Sequence, residues 1–154
     1  MIFRSLSEMA AKLPEDSRIL GLDVGSKTIG LAVSDSDLKV AASVGTIQRT
    51  KFSKDIEILA AIISERAVFG LVLGLPFSMD GSEGRACQSV RQFAENLDRK
   101  IKIGITFWDE RLSTAAVERI LIREADLTRN RRSKIVDKMA AAYILQSALD
   151  SLFK

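Results

Sequence analysis

A chain of 154 residues with 47% apolar content can cover one sheet with helices but is too short for two full domains. It has no histidine and one cysteine, which excludes histidine triads, Cys-His pairs, histidine-ligated zinc, an internal disulfide and thiolate metal sites. The remaining means are carboxylates, lysines, hydroxyls and bound metal, and a net charge of +3 permits a polyanionic partner without requiring one.

In chain order, Ser5 to Leu13 reads as a short helix stopped by Pro14, peripheral to a single domain over 1–154 and confined to its first 17 residues. Ile19 to Val24 and Thr28 to Ser34 read as strands joined by Gly25-Ser26-Lys27, and Val40 to Ile47 as a third, so an antiparallel meander is expected. Ile56, Leu59, Ala60, Ile62 and Ile63 mark one face of a helix over about Ser53 to Arg66, with Ser53 as candidate N-cap. Phe69 to Gly74 is a continuous apolar run, the mark of a strand buried on both faces. A polar loop over Pro76 to Gly84, with Ser82 a candidate cap, leads to a helix over Arg85 to Arg99, and Cys87 is expected to pack within it. Lys102 to Trp108 forms a fifth strand ending at Asp109-Glu110-Arg111. Two helices, about Ser113 to Glu124 and Lys134 to Phe153, close the chain, separated by the basic segment Thr128 to Ser133. This order suits an α/β mixed five-stranded sheet, a three-strand meander plus two parallel strands, flanked by helices. No stretch approaches the roughly 18 apolar residues of a spanning helix, and the N-terminus lacks a signal peptide's apolar core, so no membrane association and a cytoplasmic location are expected.

Three acids are awkward for a purely structural account. Asp23 interrupts an apolar strand; it either caps the turn or pairs with Lys27, or it is a metal ligand at the sheet surface. Asp109 and Glu110 point to opposite faces while the strand stays extended, so only one readily joins Asp23; Glu110 is taken as the inward ligand, with Asp109 left to pair with Arg111 or cap the turn. Asp137 sits near the start of the last helix, where the dipole alone would favour it. Yet Ala140-Ala141-Ala142 follows, and small side chains would let that helix approach the sheet closely enough for Asp137 to reach the other acids.

Gly21-Leu22-Asp23-Val24-Gly25-Ser26-Lys27-Thr28-Ile29-Gly30, Gly74-Leu75-Pro76 with Asp80-Gly81-Ser82-Glu83-Gly84, Trp108-Asp109-Glu110-Arg111-Leu112-Ser113-Thr114, and Val136-Asp137-Lys138-Met139-Ala140-Ala141 together resemble the YqgF family. That family is described as Holliday-junction resolvases and as nucleases that trim the 5′ end of pre-16S ribosomal RNA. The resemblance runs from Arg18 onward, with the four blocks in order. It implies an RNase H-like fold and a nuclease whose family carboxylates fall on Asp23, Glu110 and Asp137. Hard oxygen ligands point to Mg²⁺, with Mn²⁺ as substitute, and two-metal chemistry needs no histidine.

Lys27 and Thr28 near Asp23, Arg111 beside Glu110, and the cluster Arg129, Arg131, Arg132 and Lys134 are the candidate substrate contacts, suited to phosphates rather than bases. The expected partner is pre-rRNA or another structured RNA, with branched DNA as the alternative; monomer and homodimer stay open. A P-loop reading of Gly21 to Thr28 fails because Ser26 stands where its last glycine belongs, and an actin-like ATPase would need a longer chain. A binding module with little turnover is the rival from another class.

Overall fold

The structure, a computed structural model, describes residues 1–113 and 129–153, with side chains for 1–113 and 139–153. Five strands, β1 (Arg18–Val24), β2 (Thr28–Ser34), β3 (Ala41–Gln48), β4 (Val68–Leu75) and β5 (Gly104–Asp109), form one sheet in the order β3-β2-β1-β4-β5. β1, β2 and β3 pair antiparallel; β4 and β5 extend the sheet parallel to β1, as the meander and the two apolar runs predict. The helices are α1 (Leu6–Ala10), α2 (Phe52–Glu65), α3 (Arg85–Lys100) and α4 (Arg129–Asp150), with 3₁₀ turns at Glu110–Leu112 and Ser151–Phe153.

Strand alternation sorts the core onto two faces. Leu20, Leu22, Leu71 and Leu73 point to one face and pack with Cys87, Val90, Phe93 and Leu97 of α3 and Leu59 of α2. Ile19, Ala32 and Val72 point to the other and meet Ala141, Leu145, Ala148 and Leu149 of α4, together with Leu6 and Met9 of α1. Gly21 and Asp23 share the second face with Ile19, so the acid lies on the side α4 covers. On the first face Cys87 is fully buried, as expected of a packed residue, and burial pushes its thiol above the ordinary value.

Three local expectations need correction. The N-cap of α2 is Lys51, not Ser53: the buried Asp55 carboxylate reaches back to the Thr50 N–H (3.1 Å) and hydroxyl (3.2 Å), and this closes the first turn two residues earlier. The N-cap of α3 is Gly84 rather than Ser82, whose hydroxyl is engaged with Asp80 (2.7 Å). Ser113 follows the 3₁₀ turn in extended conformation, and the rest of the helix predicted over about Ser113 to Glu124 lies outside the described residues. The basic segment is no connection from Arg129 onward, because α4 starts there. Arginine is a good helix former, and the missing apolar stripe hid the helix without preventing it.

Candidate active site

The ends of β1, β4 and β5, three strands running in the same direction, open onto one cleft of about 470 Å³. Crevices at the carboxyl ends of such strands are where open α/β sheets bind ligands. Asp23 and Glu110 both line it, with Val24 to Thr28 of the first turn, Gly30, Arg49, Pro76, and Ala86 and Ser89 on α3. Two of the three predicted acids therefore share a pocket, as do the predicted substrate contacts Lys27 and Thr28.

Glycines make this convergence possible. Asp23 stands opposite Gly30 on β2, and on its other side the β1–β4 register brings it level with Gly74. A Cβ on Gly74 would sit 3.4 Å from Glu110 Oε2 and 2.9 Å from Ile144 Cδ1, so the bare backbone there lets both the carboxylate and α4 come down onto the sheet. Gly21 does the same one step along β1, where an added Cβ would meet Leu145 Cβ at 2.8 Å and the Ala141 carbonyl at 3.3 Å. Ala140, Ala141 and Ala142 are buried, in keeping with the expected close approach of this helix.

Asp137 is a backbone position of α4, one turn before Ala141. Gln146 of the same helix hydrogen-bonds the Ala41 N–H (2.9 Å), and Ala41 is paired with Ser34 at the far end of β2. Toward its N-terminus α4 thus runs to the Asp23 end of β1. With α4 beginning at Arg129, Asp137 lies beyond the first turn, where a helix dipole has little hold on it. The side chains of Asp137, Arg129, Arg131, Arg132 and Lys134 fall outside the described residues. Among the described ones no three metal-ligating side chains gather at one point.

Asp109 and Glu110 divide as the alternation requires. Glu110 is only 7% exposed and enters the cleft. Asp109 caps the 3₁₀ turn by accepting the Arg111 N–H (3.0 Å), and its carboxylate is forked by the Arg111 guanidinium, Nε at 3.0 Å and Nη2 at 2.6 Å. That side-chain bond holds the Asp109 carboxyl below the usual carboxylate range, against the opposing effect of burial. Arg111 also reaches the Ser78 carbonyl (3.4 Å) and lies over the Phe77 ring (5.2 Å), so its guanidinium clamps the loop after β4 to the end of β5. Within that loop Asp80 accepts the N–H (2.9 Å) and hydroxyl of Ser82, which lower its pKa, the hydroxyl most.

One residue was missed by sequence reasoning. Arg49, just past β3, lines the cleft, donates to the Gly25 carbonyl (2.6 Å) and stacks over Phe93 (5.3 Å). The only available signal was its position, opposite the first turn once β2 and β3 are paired.

A paired hard-oxygen set suits a divalent cation such as Mg²⁺: Glu110 is buried and Asp23 is beside it, in an open cleft where water or phosphate oxygens complete a coordination shell. No helix among the described residues is long and apolar enough to cross a membrane.

Residues 17–151 match the family described as "RuvX: Holliday junction resolvase". A protein of Ruegeria pomeroyi named "Putative pre-16S rRNA nuclease" is 57% identical over 152 residues, 99% of this chain and 98% of its own length. One of Paramagnetospirillum magneticum with the same name is 58% identical over 145 residues, 94% and 93% of the two chains. Among solved structures, the chain is similar to T. thermophilus RuvC in complex with a Holliday junction substrate, with a TM-score of 0.50 at 10% identity over 89% of this chain and 96% of that one. This last likeness concerns the fold alone, an RNase H-like sheet of the RuvC type.

Proposed function

The chain belongs to the RuvX family of Holliday junction resolvases, hydrolases of nucleic-acid phosphodiesters, and we propose that this member is a Mg²⁺-dependent nuclease that trims the 5′ end of pre-16S ribosomal RNA in the cytoplasm. The observation that carries the reading is the convergence of Asp23 and Glu110 on one cleft in a chain without histidine. Asp137, arriving on α4 from the remaining side, is the third ligand in this proposal, and Mn²⁺ can replace Mg²⁺.

When bound, the divalent ions lower the pKa of a water and offset charge on the departing oxygen. The protein's own residues do the rest. Asp23 on β1 and Glu110 just past the end of β5 are the ligands, so that the sheet sets their spacing. The turn 25–28 offers the Lys27 ammonium and the Ser26 and Thr28 hydroxyls beside Asp23, where they hold phosphate oxygens of the substrate. Arg129, Arg131, Arg132 and Lys134, on the helix that carries Asp137, extend the contact along the backbone, and Arg111 ties the loop after β4 to the end of β5.

The test is cleavage of a 5′-extended 16S precursor and of a four-way DNA junction, each with Mg²⁺ and with EDTA. The precursor is expected to be cut with Mg²⁺ only, and Asp23→Asn to lower the rate about a thousandfold, equivalent to several kcal/mol of lost transition-state stabilisation, while RNA binding persists. Cleavage of the junction alone would transfer the assignment to branched DNA, and undiminished cleavage in EDTA would remove the metal from the mechanism.

A further inference from the structure

We propose that Arg49 is a phosphate contact of this cleft, held ready by the fold to receive the nucleic-acid backbone beside Asp23; the inference rests on the nuclease reading above. Four observations carry it.

First, the position of Arg49 is fixed by the sheet. The β2–β3 ladder pairs Thr28 with Gln48, which sets Arg49 against Lys27, and its N–H donates to the Lys27 carbonyl at 2.8 Å. Second, its guanidinium is fixed as well. Nη1 donates to the Gly25 carbonyl at 2.6 Å and the group lies 5.3 Å over the ring of Phe93, a buried residue that Phe52 holds edge-on at 5.6 Å. An arginine ordinarily loses rotamer freedom when it grips a ligand, and here folding has already ordered it.

Third, most of its binding capacity is uncommitted. A guanidinium carries five N–H donors, of which the bond to Gly25 uses one. None of the ion pairs among the described residues involves Arg49, whereas Arg91 and Arg111 are both matched with carboxylates. Fourth, the group lines the same cleft as Asp23 and Glu110. Two carboxylates there repel a polyanion, and a fixed cation beside them offsets that field where a phosphate must enter.

A brace for the turn would need only the bond to Gly25, and the two roles leave different marks. Binding of the 5′-extended precursor RNA and of the four-way DNA junction to the full chain is measured in EDTA, so that no turnover is involved, over a series of salt concentrations. Arg49→Gln is expected to weaken binding about tenfold at low salt and to flatten the slope of log K against log salt by about 0.7 for single-stranded contacts, the contribution of one phosphate. Arg49→Lys, which keeps the charge but not the guanidinium's bond to Gly25, is expected to restore the slope. A uniform loss of affinity with an unchanged slope in Arg49→Gln, or a slope that Lys fails to restore, overturns the phosphate contact and leaves the nuclease reading standing. Absence of binding to both nucleic acids by the wild-type chain overturns both.

Discussion

Asp109 and Glu110 are chemically near-identical neighbours that the fold sends to different work, and strand alternation alone made that division legible. What alternation could not give was the environment of each. The fork from Arg111 is local, two residues along the chain, whereas the seat of Glu110 over Gly74 depends on a contact across the sheet. Arg49 stayed hidden for the same reason, since its ring partner Phe93 lies on a helix far along the chain. Asp35 is a simpler case of a carboxylate tuned by its surroundings. At the β2–β3 connection its Oδ1 accepts the N–H groups of Lys39 (2.8 Å) and Val40 (3.0 Å), and the Val40 bond above all holds its pKa below the ordinary value. A depressed folded-state pKa means the stabilisation is complete above the unfolded-chain value near 3.9 and is lost as pH falls through the folded one. Asp35→Asn is therefore expected to lower Tm at pH 7 by a few degrees, about 1 kcal/mol, with the gap to wild type narrowing below about pH 4. Thermal melts at pH 7 and pH 3 check this; an equal gap at both would show that the carboxylate's charge is not what stabilises the turn.

At the level of elements, the meander, both parallel strands and α3 follow the sequence closely, because each has an unbroken apolar period and a clear stop. α4 does not, because its first residues are arginines and lysine, which carry no stripe to read. The feature that brings α4 down onto the sheet was partly visible: the alanine triplet announced a close approach, but its complement, the bare strand positions Gly21 and Gly74, becomes meaningful only once the register sets them beneath the helix. Gly21→Ala tests the fit directly. Its Cβ would press on Leu145 Cβ at 2.8 Å and on the Ala141 carbonyl, both parts of an element that cannot retreat without uncovering Val72 and Ala32. Overpacking of this kind costs about 1–3 kcal/mol, and a drop in Tm of roughly 3–10 °C is expected. Cleavage should fall as well, since the shift moves the helix bearing Asp137 relative to Asp23. A variant as stable and active as wild type would mean that helix and sheet are not in firm contact.

Across the whole molecule the two ends of the parallel strands do different jobs, and the leading segment belongs to the end away from the chemistry. Met1 and Phe3 hydrogen-bond the backbone of Ile105 on the outer edge of β5, and α1 lays the fully buried Met9 across the starts of β4 and β5. Gly70 and Gly104 are its seat: a Cβ on either would come within 2.8 Å of Met9 Cε and 3.2 Å of its Cγ respectively. From Gly104 to Asp109 the strand advances about 16 Å, so this joint is well separated from the cleft at the opposite end. Perturbations that far apart usually add independently. Met9→Ala should then leave a cavity over the two glycines and cost about 2–5 kcal/mol, a fall in Tm of roughly 5–15 °C. On the proposed reading, its cleavage of the precursor RNA with Mg²⁺ present, measured well below the new Tm, should stay within about twofold of wild type. Thermal melts and single-turnover rates on one preparation decide the matter: a fully folded variant that has lost cleavage would mean that the far edge of the sheet is coupled to the acids, and that α1 helps set their geometry.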